Sequence, residues 1–445
     1  MSEQGVSSGA AEHAGLRVRR KSMTTSATGL ILGKLAQMGL GFLFWIVAAR
    51  MASTDDVGLA AAAVSAIMLC TQMSVLGTGA AFILRYPRSD RPSDLLDTAI
   101  ALVTVAALVV SGAALIVMTF FLDTFSGLVS QASFSVVFTA VAVLGTMALL
   151  FDQVAMALSR GDQVLVRNAM SGVTAIIVLV VLGGAAANSV GQHLFHVWAV
   201  GGVTAFGYGL IQLRRTVAYR CRPRWHTLVV RDLLRLGLPN HLLTLAQRLP
   251  GLLLPVMVAD LLSLTDNAHW YIIWMMAWAV YIAPISVGIG LFAEAARRPE
   301  TAVSATKKAI TWSLIMGGVG AGVLALLAIP LLSLLGASYS TAGAVPLRIL
   351  LIAVIPITLV EAYFATCRAR GVKLEPIATA IIMATVACTL MPYIGTREGS
   401  IGGLDGMALA WVAIQCVGGL WACLRLRHIT GKTAPQPAVQ TDARP

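Results

Sequence analysis

Long apolar segments alternate with short polar ones along almost the whole chain. Each apolar segment is long enough to cross a hydrocarbon core about 30 Å thick. The segments fall at 28–48, 58–84, 96–122, 133–158, 168–187, 194–213, 238–262, 268–292, 309–335, 345–366, 375–394 and 404–424. The pattern predicts an all-α polytopic membrane protein with about twelve transmembrane helices, because helices satisfy every backbone polar group within lipid.

Composition excludes a water-soluble fold. Of the 445 residues, 58% are hydrophobic and 12% are charged, and the mean hydropathy is +0.82. A water-soluble domain of this size could not bury so large a fraction of apolar residues. The net charge of +12 would suggest a nucleic-acid partner in a soluble protein, but here the basic residues flank helices and no nucleic-acid partner is expected. The six cysteines lack metal-type spacing, so neither a metal nor another cofactor is predicted.

Basic residues collect on alternate connections between the predicted helices. The rich segments are the N-terminal tail, 85–91, 160–167, 214–235, 297–308, 368–373 and the residues after 424. The opposite connections contain only Arg50 and Arg397. The positive-inside rule therefore predicts that both termini are cytoplasmic. The expected location of the protein is the bacterial cytoplasmic (inner) membrane.

A shift of about 210 residues superposes the first half of the chain on the second. Leu-Ala-Gln at 35–37 recurs at 245–247, and Arg-Gly at 160–161 recurs at 370–371. Two independent matches at one offset indicate a duplication. Six helices per repeat is an even number, so both halves enter the membrane from the same side, as in transporters that work by alternating access.

The duplication predicts two pseudo-symmetric six-helix lobes. The linker between them carries an apolar and basic run at 225–236, which is interpreted either as an interfacial helix or as a simple connection. The predicted domains are a cytoplasmic tail at 1–27, an N-lobe at 28–213, the linker at 214–237, a C-lobe at 238–426 and a disordered cytoplasmic tail at 427–445.

Two basic residues lie within predicted spans, where a charge costs at least ~2.5 kcal/mol and needs a partner or a wet cavity. Arg248 is too deep in helix seven to reach the headgroups, so we expect it to face a cavity or to form a buried ion pair. Lys34 lies in helix one, one turn from the position equivalent to Arg248 and on the same face of the repeat helix. The two are predicted to bind substrate in a shared basic cavity, although Lys34 is also close enough to the surface to snorkel.

Two acidic residues, Asp152 and Glu361, occupy matching places in helices four and ten. Each is a candidate either for proton coupling or for an ion pair with the deep cations. Arg50, Asp260 and Pro250 are candidates for a gating or structural role. Pro250 follows Arg248 closely and predicts a break in helix seven beside that charge, although prolines are also common in transmembrane helices.

The chain resembles the polysaccharide-exporter flippases of the multidrug/oligosaccharidyl-lipid/polysaccharide superfamily. The resemblance lies in AARMASTDDVGLAA at 48–61, in LLRLGLPNHL at 233–242 and in the Arg-Gly turn after helix four. It implies a two-lobed, V-shaped protein that moves a polyprenyl-pyrophosphate-linked glycan from the inner to the outer leaflet. Membrane lipid, the lipid-linked glycan and enzymes of glycan assembly are the partners that it implies.

Other functions agree less well with the sequence. Fourteen-helix lipid II flippases have more cavity arginines, which disfavours lipid II as cargo. A multidrug or metabolite exporter of the same fold is the alternative, but Lys34 stands in the opening helix, where drug exporters usually carry an acidic site. A membrane-embedded glycosyltransferase would need larger outer loops, so no enzyme activity is expected. His193 and His196 are interpreted as interfacial residues and not as a metal pair.

Overall fold

A computed structural model describes residues 23–86, 92–158, 160–183, 190–217, 224–297, 302–399 and 402–431. These residues form α-helices and connections, without a strand among them. The helices are α1 (Met23–Met51), α2 (Thr54–Ser74), α3 (Thr78–Arg85), α4 (Pro92–Phe121), α5 (Asp123–Val129), α6 (Ala132–Ala157), α7 (Gly161–Gly183), α8 (Val190–Val217), α9 (Thr227–Leu261), α10 (Leu264–Arg297), α11 (Ala302–Leu326), α12 (Ala328–Ser333), α13 (Ala337–Ile352), α14 (Val354–Ala369), α15 (Leu374–Gly395) and α16 (Gly403–Gly431).

The predicted membrane-spanning architecture is confirmed. Among the described residues, ten helices are long and apolar enough to cross a membrane, and α13 with α14 forms an eleventh span bent by 43°. Helix α1 is 29 residues long, with a shorter apolar stretch at Ala36–Met51, and a twelfth span would have to be this helix. We call the end of the bundle where α1 begins and α16 ends the terminal side, and the opposite end the far side.

Helix starts repeat at the offset seen in the sequence. Helix α2 begins at Thr54 and α10 at Leu264, and the intervening offset of 210 also separates the starts of α4 and α11. The same cap precedes both α2 and α10, because Ser53 accepts a hydrogen bond from the backbone N–H of Asp56, and Ser263 does so from that of Asp266. Local capping chemistry therefore fixes the same helix start in both repeats.

Helices α1–α8 pack mainly on one another and form the first lobe, and α9–α16 form the second lobe. Across the boundary, α2 packs against α9 and α10. Small residues permit this close packing. A Cβ on Gly58 would lie 1.9 Å from the carbonyl oxygen of Leu264 in the other lobe, so only glycine fits there.

Three details differ from the sequence-based expectations. The segment predicted as one span at 58–84 is divided into α2 and α3 by a turn in which Leu76 and Gly77 have positive φ. The run at 225–236 is not a separate helix, since α9 is helical from Thr227 onwards. Helix α9 also continues through Pro250 to Leu261, so the predicted break beside Arg248 is not found.

Candidate functional site: a cleft between the lobes

The two lobes close against each other on the far side. The Trp45 ring of α1 meets the Tyr271 ring of α10 edge-on, with centroids 5.0 Å apart. The Asn267 side chain of α10 donates a 2.7 Å hydrogen bond to the carbonyl oxygen of Gly58 in α2. Residues 60–67 of α2 are all buried. These contacts exclude water and lipid from the far half of the interface.

Nearer the terminal side, the same helices become accessible. In α2 the change comes at Met68, which is 42% exposed, and Met73 is 39% exposed. In α1, a Cβ on Gly41 would meet nothing within 4 Å. Arg248 in α9 is exposed. Because α1, α2 and α9 become accessible at a similar depth, we interpret the space between the lobes as a cleft that is closed at the far side.

One wall of the cleft stays closed towards the terminal side. Gly77, at the end of α2, lies against Gly237 of α9, where an added Cβ on Gly237 would be 2.2 Å from the carbonyl oxygen of Gly77. Beyond them, Arg85 forms a 3.0 Å ion pair with Asp232. On the opposite wall, the ring contact described between α1 and α10 is on the far side, at Trp45. The described contacts therefore close one lateral wall, between α2 and α9, and those between α1 and α10 lie on the far side.

Arg248 projects from the face of α9 that contacts the first lobe. Its Nη1 donates a 3.0 Å hydrogen bond to Oε1 of Gln72 in α2. Gln72 is 9% exposed, so the neutral amide is the buried member of this pair. Arg248 lies about 20 Å from the end of α9 at Leu261, at ~1.5 Å per residue, which places it well inside the hydrocarbon region. Among the described residues, it forms no ion pair.

Lys34 belongs to α1, but its side chain lies outside the described side chains. The predicted pairing of Lys34 with Arg248 in one basic cavity therefore stays a prediction.

Asp152 forms an ion pair inside the first lobe. It accepts a hydrogen bond from Nη2 of Arg167 in α7, and the two form an ion pair in which Arg167 is 2% exposed and Asp152 14%. Nη1 of Arg167 also donates a 2.9 Å hydrogen bond to Gln212 in α8. An ion pair was one of the two expectations for Asp152, but its partner is Arg167 and not a cation of the cleft.

Glu361 has different surroundings in the second lobe. Its Oε1 accepts a 2.7 Å hydrogen bond from Nε2 of Gln247 in α9. Oε1 of the same glutamine accepts a 3.1 Å hydrogen bond from Nη2 of Arg368. The amide thus bridges carboxylate and guanidinium. Neither Asp152 nor Glu361 bonds to Arg248 among the interactions described.

Several residues of these networks were not identified from the sequence. Arg167 and Arg368 were counted among the basic connections, because the predicted spans began or ended beside them. In the structure α7 starts at Gly161 and α14 continues to Ala369, so both arginines lie within helices. The depth of Asp152 could have predicted such a partner, because a carboxylate buried in the membrane needs a cation on a neighbouring helix.

Arg50 and Asp260 both lie at the far side and contact the other lobe. Nε of Arg50 donates a 2.7 Å hydrogen bond to the carbonyl oxygen of Leu334, and Nη2 donates a 2.9 Å bond to that of Ser333. Oδ1 of Asp260 accepts a 3.0 Å hydrogen bond from the backbone N–H of Thr124.

Histidine and cysteine form no metal centre in the part of the chain that the structure describes, where no group of three or more such ligands, acidic residues included, is found. The His193 and His196 rings lie edge to face with centroids 6.3 Å apart. Two histidines on one helix supply fewer than the three or four protein ligands of a zinc site.

Comparison with solved structures identifies the fold. The inward-facing conformation of a multidrug resistance MATE family transporter of the MOP superfamily has a TM-score of 0.68, with 14% identity over 89% of this chain and 96% of that one. The outward-facing conformation of a transporter so described has a TM-score of 0.63, with 15% identity over 94% and 99%. A MOP superfamily transporter from Pyrococcus furiosus, described as having a binding pocket of reverse polarity, has a TM-score of 0.58, with 14% identity over 94% and 99%.

Sequence comparison identifies the family. A search of curated proteins finds no match. The profile of the family described as "Polysaccharide biosynthesis protein" matches residues 24–287, which is more than half of the chain. The protein therefore belongs to the polysaccharide biosynthesis protein family and is a membrane protein with the fold of MOP-superfamily transporters.

Proposed function

We propose that this protein is a flippase that moves a polyprenyl-pyrophosphate-linked glycan from the inner to the outer leaflet of the bacterial cytoplasmic membrane by alternating access. The terminal side is then cytoplasmic, in agreement with the basic residues collected there. The cleft sealed at the far side corresponds to the state that receives cargo from the cytoplasmic leaflet. The polyprenyl tail of the cargo is expected to remain in membrane lipid. Enzymes that assemble the glycan are expected partners.

The observation that carries this proposal is the charge of Arg248. Arg248 is an exposed residue at the boundary between the lobes, and its guanidinium forms a part-buried hydrogen bond to a neutral amide, Gln72. Within the described part of the chain, that bond is the one found for its five N–H donors, and we expect the others to bind the ligand. A pyrophosphate offers several acceptor oxygens and two or more negative charges, which a planar guanidinium binds in a bidentate manner. Lys34 is the second expected cation of the site.

The shape of the cleft fits an amphipathic cargo. A glycan needs a wet space, and the polar side chains Asn240, Thr244 and Arg248 share one face of α9, at successive spacings of four residues. A polyprenyl tail can remain in lipid if it passes between α1 and α10, where the described contact is restricted to the far side. In this arrangement the head group crosses the membrane while the tail never leaves hydrocarbon.

The charge of the cleft argues against the alternative, an exporter of organic cations. Such a cargo needs an available carboxylate, yet Asp152 pairs with Arg167 and Glu361 bonds to Gln247 inside their own lobes. The exposed charge between the lobes is positive. Similarity to multidrug transporters at 14–15% identity concerns the fold, so it does not favour a drug as cargo.

The test is Arg248→Ala in proteoliposomes that contain a fluorescent polyprenyl-pyrophosphate glycan. Loss of charged hydrogen bonds worth about 1.5–3 kcal/mol predicts a flipping rate about 10- to 100-fold slower. Arg248→Lys retains the positive charge but loses the planar group that binds two oxygens at once, so an intermediate flipping rate is expected. Cells that carry Arg248→Ala should lose surface glycan at a normal protein level.

Arg231→Ala is the matched control, since Arg231 is an exposed arginine on the same helix and outside the cleft. It should flip the glycan at the wild-type rate. Wild-type flipping by Arg248→Ala would contradict the proposal. Transport of an organic cation by the wild-type protein, without glycan flipping, would favour the exporter instead.

A further inference from the structure

The far-side seal contains two contacts that are equivalent under the internal repeat but opposite in charge. Arg50 is the next-to-last residue of α1 and Asp260 that of α9, and the offset of 210 that relates α2 to α10 also relates these two positions. Each side chain crosses to a short helix of the other lobe. The two short helices, α5 and α12, are themselves equivalent, since each lies between the third and fourth spans of its lobe.

Each contact matches the polarity of the helix end that it meets. Arg50 donates to the carbonyl oxygens of Ser333, the last residue of α12, and of Leu334, its C-cap, where the helix dipole is negative and carbonyls lack helical partners. The bonds of 2.7 and 2.9 Å are the lengths of charge-assisted hydrogen bonds.

Asp260 meets the positive end of α5. It accepts from the backbone N–H of Thr124 at 3.0 Å, and the Thr124 hydroxyl donates to the carbonyl oxygen of Ala259 at 3.3 Å. The residue at the N-cap of α5, Leu122, has no side-chain acceptor and makes no capping bond. The second lobe therefore supplies the cap that the first lobe lacks, at the position where a side-chain acceptor normally bonds.

We propose that Arg50 and Asp260 form a reciprocal clasp that holds the far side of the cleft shut and must release when the protein opens to that side. Both halves link a long cleft helix of one lobe to a short helix of the other, so separation of the lobes breaks both together. The ends of α5 and α12 lose these capping bonds as the lobes part. The proposal concerns closure of the cleft, and it does not depend on which cargo the cleft carries.

The experiment measures how often the far-side seal opens. Ala48 in α1 is completely buried and lies one turn from Trp45 on the same face, so Ala48→Cys places a thiol in the seal. Labelling by a water-soluble maleimide is followed in nanodiscs, with the protein lacking this substitution as background for the native thiols. Val57→Cys, whose thiol is smaller than the valine it replaces, is a second reporter.

Arg50→Gln and Asp260→Asn should each speed labelling about fivefold, the effect of losing a contact worth on the order of 1 kcal/mol. The double variant should label faster than either one. Arg348→Gln is the matched control, because Arg348 also donates from Nε to a carbonyl at the end of a helix, Ala325, but within its own lobe. It should label at the parent rate.

Two outcomes would overturn the clasp. One is labelling of both clasp variants at the parent rate with both reporters. The other is an equal acceleration by Arg348→Gln, which would indicate general loosening of the protein. Because the readout contains no cargo, failure of the clasp and failure of the proposed flippase activity are distinguishable.

Discussion

Arg167 and Arg248 place the same charged group in two different regions of the bundle. Arg167, inside the first lobe, is 2% exposed and bonds to both Asp152 and Gln212. Arg248, between the lobes, is exposed and bonds to Gln72. Each has a glutamine beside it, but a carboxylate accompanies the buried arginine alone. Within the described residues, this difference separates a cation that joins helices from one that is available to an anion.

The acidic residues repeat the contrast between the two lobes. Asp152 lies on the unbroken helix α6 and is neutralised by Arg167. Glu361 lies on α14, beyond the 43° bend, and bonds to the amide of Gln247. Duplicated positions have thus acquired different partners. At this repeated position the first lobe has an ion pair and the second has an amide bridge.

The largest expected effect comes from breaking the buried pair. Asp152→Ala leaves the Arg167 guanidinium buried without its carboxylate, which should destabilise the protein by about 3–5 kcal/mol. Unfolding in micelles, followed by titration with a denaturing detergent, measures the change. Combining Asp152→Ala with Arg167→Met removes the stranded charge, and this double variant should recover much of the stability. Equal stability of Asp152→Ala and wild type would contradict the structural role of the pair.

A smaller effect is expected from giving Arg248 the carboxylate that it lacks. Gln72→Glu keeps the length of the side chain and places an acid at the 3.0 Å contact. The new pair should leave stability at or above wild type but slow glycan flipping about tenfold or more, because the guanidinium is neutralised. Gln72→Met removes the amide while leaving the charge of Arg248 intact, and should flip faster than Gln72→Glu. Faster glycan flipping by Gln72→Glu than by Gln72→Met would contradict the claim that flipping needs an unneutralised Arg248.

The smallest effect should come from the second lobe. Glu361→Gln retains an oxygen for the Gln247 donor and loses the charge beside Arg368. Its cost is expected to be about 1 kcal/mol, the net value of one hydrogen bond, and less than that of Asp152→Asn. The same detergent titration, run on both variants, measures the difference. An equal or larger cost for Glu361→Gln would contradict the difference between the two lobes.

The fold was predictable from sequence because its main constraint is simple. Segments of apolar residues long enough to cross the membrane must be helical, and the repeat offset was legible at Leu35–Gln37 and Leu245–Gln247. Helix ends were harder to place. Polar residues at a span's edge, such as Arg167 and Arg368, continue the helix when a neighbouring helix offers a partner, and hydropathy carries no information about that partner.

The site was predictable only in part. The depth of Arg248 marked it as unusual, and the structure places it at the lobe boundary. Gln72 could not be identified from the sequence, since a neutral glutamine in an alanine-rich helix is not unusual and its contact with Arg248 is visible only in the structure. The break expected at Pro250 is absent, because a proline that lacks its N–H can remain within a transmembrane helix when its surroundings compensate.

The central claim is that Arg248 binds the anionic head of a polyprenyl lipid, and a binding titration tests it most directly. A short-chain polyprenyl pyrophosphate and the polyprenyl alcohol of the same length are titrated into wild type and Arg248→Gln in nanodiscs, followed by tryptophan fluorescence. Wild type should bind the pyrophosphate at least about tenfold more tightly than the alcohol, and Arg248→Gln should lose most of that preference. An unchanged preference in Arg248→Gln would contradict the claim.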